Sequence, residues 1–332
     1  MRLFKNANYN FLRWRWHAVA LSWVVIIAGV VMVATKGLSM GIEFAGGTAV
    51  VAQFDREPSA EAVRNALNRN YQFGGQDAIV QSYGTAGSRQ VMVRVPQVGA
   101  EKGADLSAVS SAVEAALKKE PALGGFMVIS RQIVGPSVGE ELASKGFWAF
   151  VLSLVGILAY IAFRFQLSFA VGAVIATLHD ILVTLAFLAF FQYDITLNVI
   201  AAILTVTGYS TNDTIVIFDR VRENLRSHRR EPMNDVINMS INQTLGRTVL
   251  TAGTTLLSAI ALYAFGGEVL RGFSFTMIIG IITGTYSSVF VAAAIVTFWN
   301  RKQVRSTAAA TTAPTEAAGQ KQGRKPGRAR AS

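Results

Sequence analysis

Six stretches of the sequence, at about 18–35, 146–163, 169–191, 195–218, 248–265 and 273–299, are apolar over a length that crosses a bilayer as a helix. With 52% hydrophobic and only 15% charged residues, the chain is too apolar, and too unevenly so, for an ordinary soluble protein. The expected class is an α-helical integral membrane protein with six transmembrane helices. Composition turns soluble between the first two runs. The chain therefore divides into an N-terminal segment (1–16), a first helix (17–36), an inserted domain (37–145), helices two to six (146–299) and a basic tail (300–332).

A net charge of +11 raises the question of nucleic-acid binding, but its distribution argues otherwise. Residues 37–145 carry ten Lys or Arg against eleven Asp or Glu, so the excess sits in the termini and short loops, where it sets orientation. Arg164 follows the second run, and Arg220, Arg222, Arg226, Arg229 and Arg230 separate the fourth from the fifth. By contrast, 192–194 has no base, and only Arg271 follows the fifth run. Both termini are expected in the cytosol and the inserted domain outside, in the periplasm of a Gram-negative cell. Basic residues and Trp14, Trp16 and Trp23 flank the first run. That run is longer than a signal-peptide core and no clear A-x-A site follows, so it reads as an uncleaved anchor. The tail has eight Lys or Arg in 301–330 and should be disordered. Contact with anionic lipid or RNA is one reading; the simpler and preferred one is that it keeps the end cytosolic.

Within the inserted domain, strands are expected at 48–54, 78–82, 90–95 and 126–134 and helices at 59–68 and 105–119, with Ser59 and Asp105 as N-caps. The order β-α-β-β-α-β suggests a split-βαβ, ferredoxin-like α+β domain. Such a fold serves many functions and identifies none.

Chemistry concentrates at 208–224, GYSTNDTIVIFDRVREN, where Asp213 falls inside an apolar run. An Asp at the centre of an inserted helix costs roughly 2.5 to 3.5 kcal/mol, so such residues face protein or water and mark ion paths. Burial disfavours the charged form, which suits Asp213 to carry a proton. The alternative is that it lies near the interface and reaches water. Ser210, Asn212 and neighbouring hydroxyls could hydrate the acid or pass a proton, or could simply pack. Arg247, opening the fifth run, could pair with Asp213 and alter its proton affinity as helices move, or could snorkel as an anchor. His179 and Asp180 form a second, secondary ionisable pair that could join the same polar interior or form a structural hydrogen bond between helices. In the sixth run, Gly280 and Gly284 permit close helix contact, and Thr285, Tyr286, Ser287 and Ser288 could line a narrow wet path; close packing is the preferred reading. Gly41, Glu43, Gly46 and Gly47 lie in GIEFAGGT, which reads as a flexible turn or hinge into the first strand. No Walker pattern, Ser-His-Asp arrangement or metal-ligand cluster stands out, so no metal, cofactor or covalent catalysis is expected and the chain is not read as an enzyme. Without a nucleotide motif, an ion gradient is the expected energy source.

Taken together, GIEFAGGT (41–48), GYSTNDTIVIFDRVREN (208–224), INQTLGRT (241–248) and FGGEVLRGFSFTMIIG (265–280) resemble the SecF subunits of the SecD/SecF family, over about residues 10–300. The resemblance implies half of an RND-type transporter, with SecD supplying the other half and the SecYEG channel, YajC and YidC as partners in moving unfolded preprotein. It also implies that Asp213 handles protons with Arg247 as its coupled partner. Glu43 stands where the family commonly has Asp, with no consequence expected. Two other readings remain: a passive scaffold joining channel and insertase, and an RND-like exporter of lipid or small solute.

Overall fold

The computed structural model describes residues 7–70, 78–83, 87–95, 106–164, 167–228 and 230–298. The expected N-cap Asp105 and the basic tail lie outside the described residues. Helix α1 (Arg15–Lys36) leads through a one-turn α2 (Ile42–Ala45) into β1 (Gly47–Phe54), α3 (Ala60–Asn70), β2 (Ile79–Tyr83), β3 (Gln90–Val95), α4 (Leu106–Lys118) and β4 (Phe126–Val134). Four long helices follow: α5 (Pro136–Arg164), α6 (Leu167–Phe190), α7 (Leu197–Ser227) and α8 (Met233–Phe265). The last helix, α9 (Gly267–Ser287), runs on through a π-helical turn at Ser288–Ala292 to residue 298.

Five of these helices are long and apolar enough to cross a membrane: α1, α5, α6, α8 and the helix ending at Phe298. The chain is a multi-pass membrane protein. At 31 residues α7 has the length, but Thr207, Ser210, Thr211, Asp213 and Thr214 make it polar. Those side chains are buried among other helices, so packing against protein compensates for what the sequence lacks in apolarity. More than half of the apolar stretch is buried in α6 and α9, and very little in α5 and α8. The interior of the bundle is thus α6, α7 and α9.

Small residues let these helices meet. A methyl group at Gly284 would lie 2.7 Å from the Cβ of Ser210, and one at Gly280 would overlap Val206, so α9 rests directly on α7. At one end of the bundle the N-terminal segment is pinned to α8. Asn242 and Asn238 accept the N–H groups of Tyr9 and Phe11 at 2.9 Å, and both amides donate back to the Tyr9 carbonyl.

At the other end sits a four-stranded antiparallel sheet of order β2-β3-β1-β4. One face packs on α3 and α4 through Val50, Val91, Val93, Val63, Leu67 and Leu117, each almost fully buried. Each such side chain contributes roughly 1.5 to 3 kcal/mol relative to exposure. The other face, including Ala49 and Val51, looks toward the α6–α7 turn and the start of α9 across clefts of about 270 and 390 Å³. The boundary expected at 145/146 falls inside α5, which starts at Pro136 and carries a polar first part that hydropathy does not register.

The GIEFAGGT segment forms a short helical turn followed by a sharp bend. Ile42 is buried in a helical turn, and Gly46 (φ 68°) and Gly47 (φ 121°) take left-handed conformations that side chains disfavour, turning the chain sharply into β1. Backbone bonds tie the segment to the α6–α7 connection: Gly41 N–H donates to Ile195 O at 2.9 Å and Ile195 N–H to Ser39 O at 2.8 Å.

Candidate functional site

Among the described residues two carboxyl groups are buried in the bundle, and the structure brings both to the same stretch of α9. Asp213 on α7 is 8% exposed. Its Oδ1 accepts the Thr248 hydroxyl of α8 at 2.7 Å and its Oδ2 accepts that of Ser288 at 2.7 Å. Three helices therefore meet on one side chain. Asp180 on α6 is 2% exposed. Its Oδ2 accepts Ser210 of α7 at 2.5 Å and Ser287 of α9 at 2.8 Å, while Oδ1 lies 3.0 Å from His179 Nδ1.

Ser287 ends the α-helical part of α9 and Ser288 opens its π-helical turn, a feature often found at functional positions. Consecutive residues on a helix point in different directions, so one serine reaches each acid. These hydroxyls fit the task because a hydroxyl both donates and accepts. A guanidinium in the same place could only donate.

Arg247 is exposed on α8, and among the described residues no ion pair joins it to Asp213. Thr248, one residue on, makes the contact instead. Asn212 is exposed on the outer face of α7, whereas Ser210 is buried and reaches Asp180. Among the described residues, no group of three or more His, Asp or Glu could hold a metal ion.

Glu43 lies far from these acids, yet it is joined to the same helix. Its Oε2 accepts the N–H of Leu197, the first residue of α7, at 2.6 Å, beside the Thr196 N-cap that accepts from Val199. The carboxylate meets two attractions there, an unpaired N–H and the positive end of the helix dipole. Beside it, Arg94 of β3, 5% exposed, donates to Asp194 Oδ1 at 2.9 Å, to Gln81 Oε1 at 2.8 Å and to Met40 O at 3.2 Å. Ser39 donates to the same Asp194 oxygen at 2.5 Å. The sheet is thus bolted to the segment that opens α7.

Sequence reasoning missed Thr248, Arg94 and Asp194. Thr248 is one hydroxyl among many. The other two carried a faint signal: an Arg within the apolar strand QVMVRV, and a lone acid in a turn with no base.

Comparison with known proteins places Asp180, Asp194, Asp213 and Thr248 in one matched region and Glu43 in another. Residues 113–302 match the family described as protein export membrane protein SecD/SecF, C-terminal, and residues 31–57 match the SecD/SecF GG motif. The chain is 41% identical over 298 residues to the protein translocase subunit SecF of Desulfurispirillum indicum, covering 89% of this chain and 92% of that protein. It is 40% identical over 316 residues to that of Rhodothermus marinus, covering 93% and 97%. Among solved structures it is similar to SecDF, a translocon-associated membrane protein from Thermus thermophilus, with a TM-score of 0.79 and 34% identity. That likeness covers 91% of this chain and 40% of the SecDF chain, so this chain spans about two fifths of it.

Proposed function

The chain belongs to the SecD/SecF family of protein-export membrane proteins, and from that premise we propose that it is the SecF-type half of a proton-driven device that assists preprotein export across a bacterial inner membrane. The observation that carries this reading is Asp213, buried on α7 and held by hydroxyls of two other helices. A change in its protonation alters contacts to α8 and α9 together. One proton crossing 100 mV releases about 2.3 kcal/mol, so one or a few bias a helix-packing equilibrium substantially. The work is mechanical, with no covalent step or cofactor.

In this reading α7 is a sixth transmembrane helix, both termini are cytosolic and the sheet is a periplasmic ferredoxin-like domain. Its order β2-β3-β1-β4 with two helices on one face supports that assignment. A partner half is supported by the outer face of α7, where Ala201, Thr205, Gly208 and Asn212 are exposed at a spacing of three or four residues. Small and polar side chains at membrane depth suit another helix better than lipid. SecD is the proposed owner of that helix, and SecYEG, YajC and YidC are further proposed partners. Arg247, on the exposed side of α8, is positioned to meet Asp213 when the bundle repacks.

The test is Asp213→Asn in inverted membrane vesicles importing a preprotein under a proton gradient. Normal assembly with loss of gradient-stimulated import supports the motor. Undiminished stimulation would leave a passive scaffold.

A further inference from the structure

Asp180 has so far no part in this mechanism, although it is the more deeply buried of the two acids. The acid at the sheet-to-bundle junction offers a contrast. Asp194 faces Arg94, whose guanidinium donates and never accepts. Asp180 and Asp213 have no Arg or Lys in ion-pair contact among the described residues.

Their serines each have a second acceptor in reach. Ser287 Oγ lies 2.8 Å from Asp180 Oδ2 and 3.2 Å from Gly284 O. Ser288 Oγ lies 2.7 Å from Asp213 Oδ2 and 2.9 Å from Thr285 O. When the acid is ionised, the serine donates to it. Once the acid is protonated, its O–H donates to the serine oxygen and the serine proton turns to the helix carbonyl. Both protonation states leave the carboxyl and serine oxygens partnered.

His179 completes the Asp180 site. Its Nδ1 faces the carboxylate, whereas Nε2 is buried and without a partner, and the ring lines an apolar crevice of about 590 Å³ with Trp16, Trp23, Ile175 and Leu182. The tautomer that donates from Nδ1 satisfies Asp180 and exposes no N–H to that crevice. The ionisable groups facing the two acids are His179 from α6, Tyr286 from α9, whose ring lies 6.3 Å from His179, and Arg247 beside Thr248 on α8. From α1 comes the neutral Ser22, within 3.2 Å of the Tyr286 hydroxyl.

We propose that Asp180 is a second proton-carrying side chain of the bundle, linked to Asp213 through Ser287 and Ser288 of α9. Only O–H bonds form or break: a proton leaves one carboxyl or the aqueous phase and joins the other. Because consecutive residues of one turn hold both acids, a shift of that turn that accompanies protonation at one changes the hydrogen bonding of the other. The inference rests on the motor reading above, but it can fail alone.

The experiment is pH-difference infrared spectroscopy of the complete complex with its partner subunit in lipid, with gradient-stimulated preprotein import measured on the same variants. Two protonated-carboxyl bands are expected. Asp213→Asn removes one, Asp180→Asn removes the other, and both variants lose gradient stimulation. If Asp180→Asn leaves the difference spectrum and the stimulation intact while Asp213→Asn abolishes both, Asp180 is a fixed structural group and the inference falls while the motor stands. Stimulation that survives Asp213→Asn overturns the motor and this inference with it. Should Asp180→Asn fail to assemble, Ser287→Ala keeps both carboxyls and removes the link. The pH midpoint of the Asp213 band must then move, and an unchanged midpoint overturns the inference.

Discussion

Replacing Arg94 by alanine should undock the four-stranded sheet from the bundle without unfolding either. The side chain is almost fully buried and donates to Asp194, Gln81 and Met40, three groups from three different segments. Removing one partner of a buried ion pair typically costs about 3 to 5 kcal/mol. Asp194 retains 22% exposure and its bond from Ser39, so the low end applies, about 3 kcal/mol. At 1.4 kcal/mol per factor of ten, the junction should open roughly 100 times more often. Hydrogen exchange on the lipid-embedded complex reads this directly. Amides at residues 39–46 and 194–199 should exchange about a hundredfold faster, whereas those of β1 and β3 beneath the core of Val50, Val91 and Val93 keep their protection. Arg94→Lys keeps the charge but loses the fork that spans several acceptors, so it should fall between. Unchanged exchange at the junction would refute the reasoning, and so would uniform loss of protection across the whole sheet.

Further expectations follow from single contacts. Glu43→Ala should fray the first turn of α7 by about 0.5 to 2 kcal/mol, seen as faster exchange at Leu197; Glu43→Asp must partly restore it, or the capping role is wrong. Gly284→Ala would set a methyl 2.7 Å from Ser210 Cβ and force α9 off α7, costing about 1 to 3 kcal/mol. A thermal midpoint within error of the native complex would contradict that packing. Glu114 is held below the ordinary carboxylate range by the Lys118 hydrogen bond and then by Arg131. Its folded affinity for a proton is weaker than its unfolded one, so this stabilisation is present above the ordinary carboxylate range and fades as pH falls through it. Glu114→Gln should flatten the acid side of the sheet domain's stability profile, and an unaltered acid slope would exclude the effect.

Much of the architecture is legible in hydropathy and alternation. Strands at 90–95 and 126–134 have the bounds that alternation predicts, because each has one face on a core and one away from it. Helix starts are less legible. Met233 opens α8 fifteen residues before the apolar run, since a helix continuing into water loses its hydropathy signal while keeping its backbone bonds. Asp213 stands out because a charge in an apolar run has to be accounted for. Its partners do not, because Thr248 and Ser288 are 35 and 75 residues away and contacts between helices depend on packing. Glu43 shows the same limit: its sign is visible in the sequence, but the helix end it satisfies lies 154 residues downstream. The Arg94 and Asp194 pair, 100 residues apart, combines a strand position with a turn position, and only the docking of sheet on bundle gives it meaning.

Proton flux into liposomes holding the complete complex tests the role of Asp213 most directly. With a trapped pH-sensitive dye and an imposed gradient, the native complex should acidify the lumen faster than protein-free liposomes, and Asp213→Asn should return the rate to that background. A mutant flux equal to the native one would mean that protons move without this carboxyl.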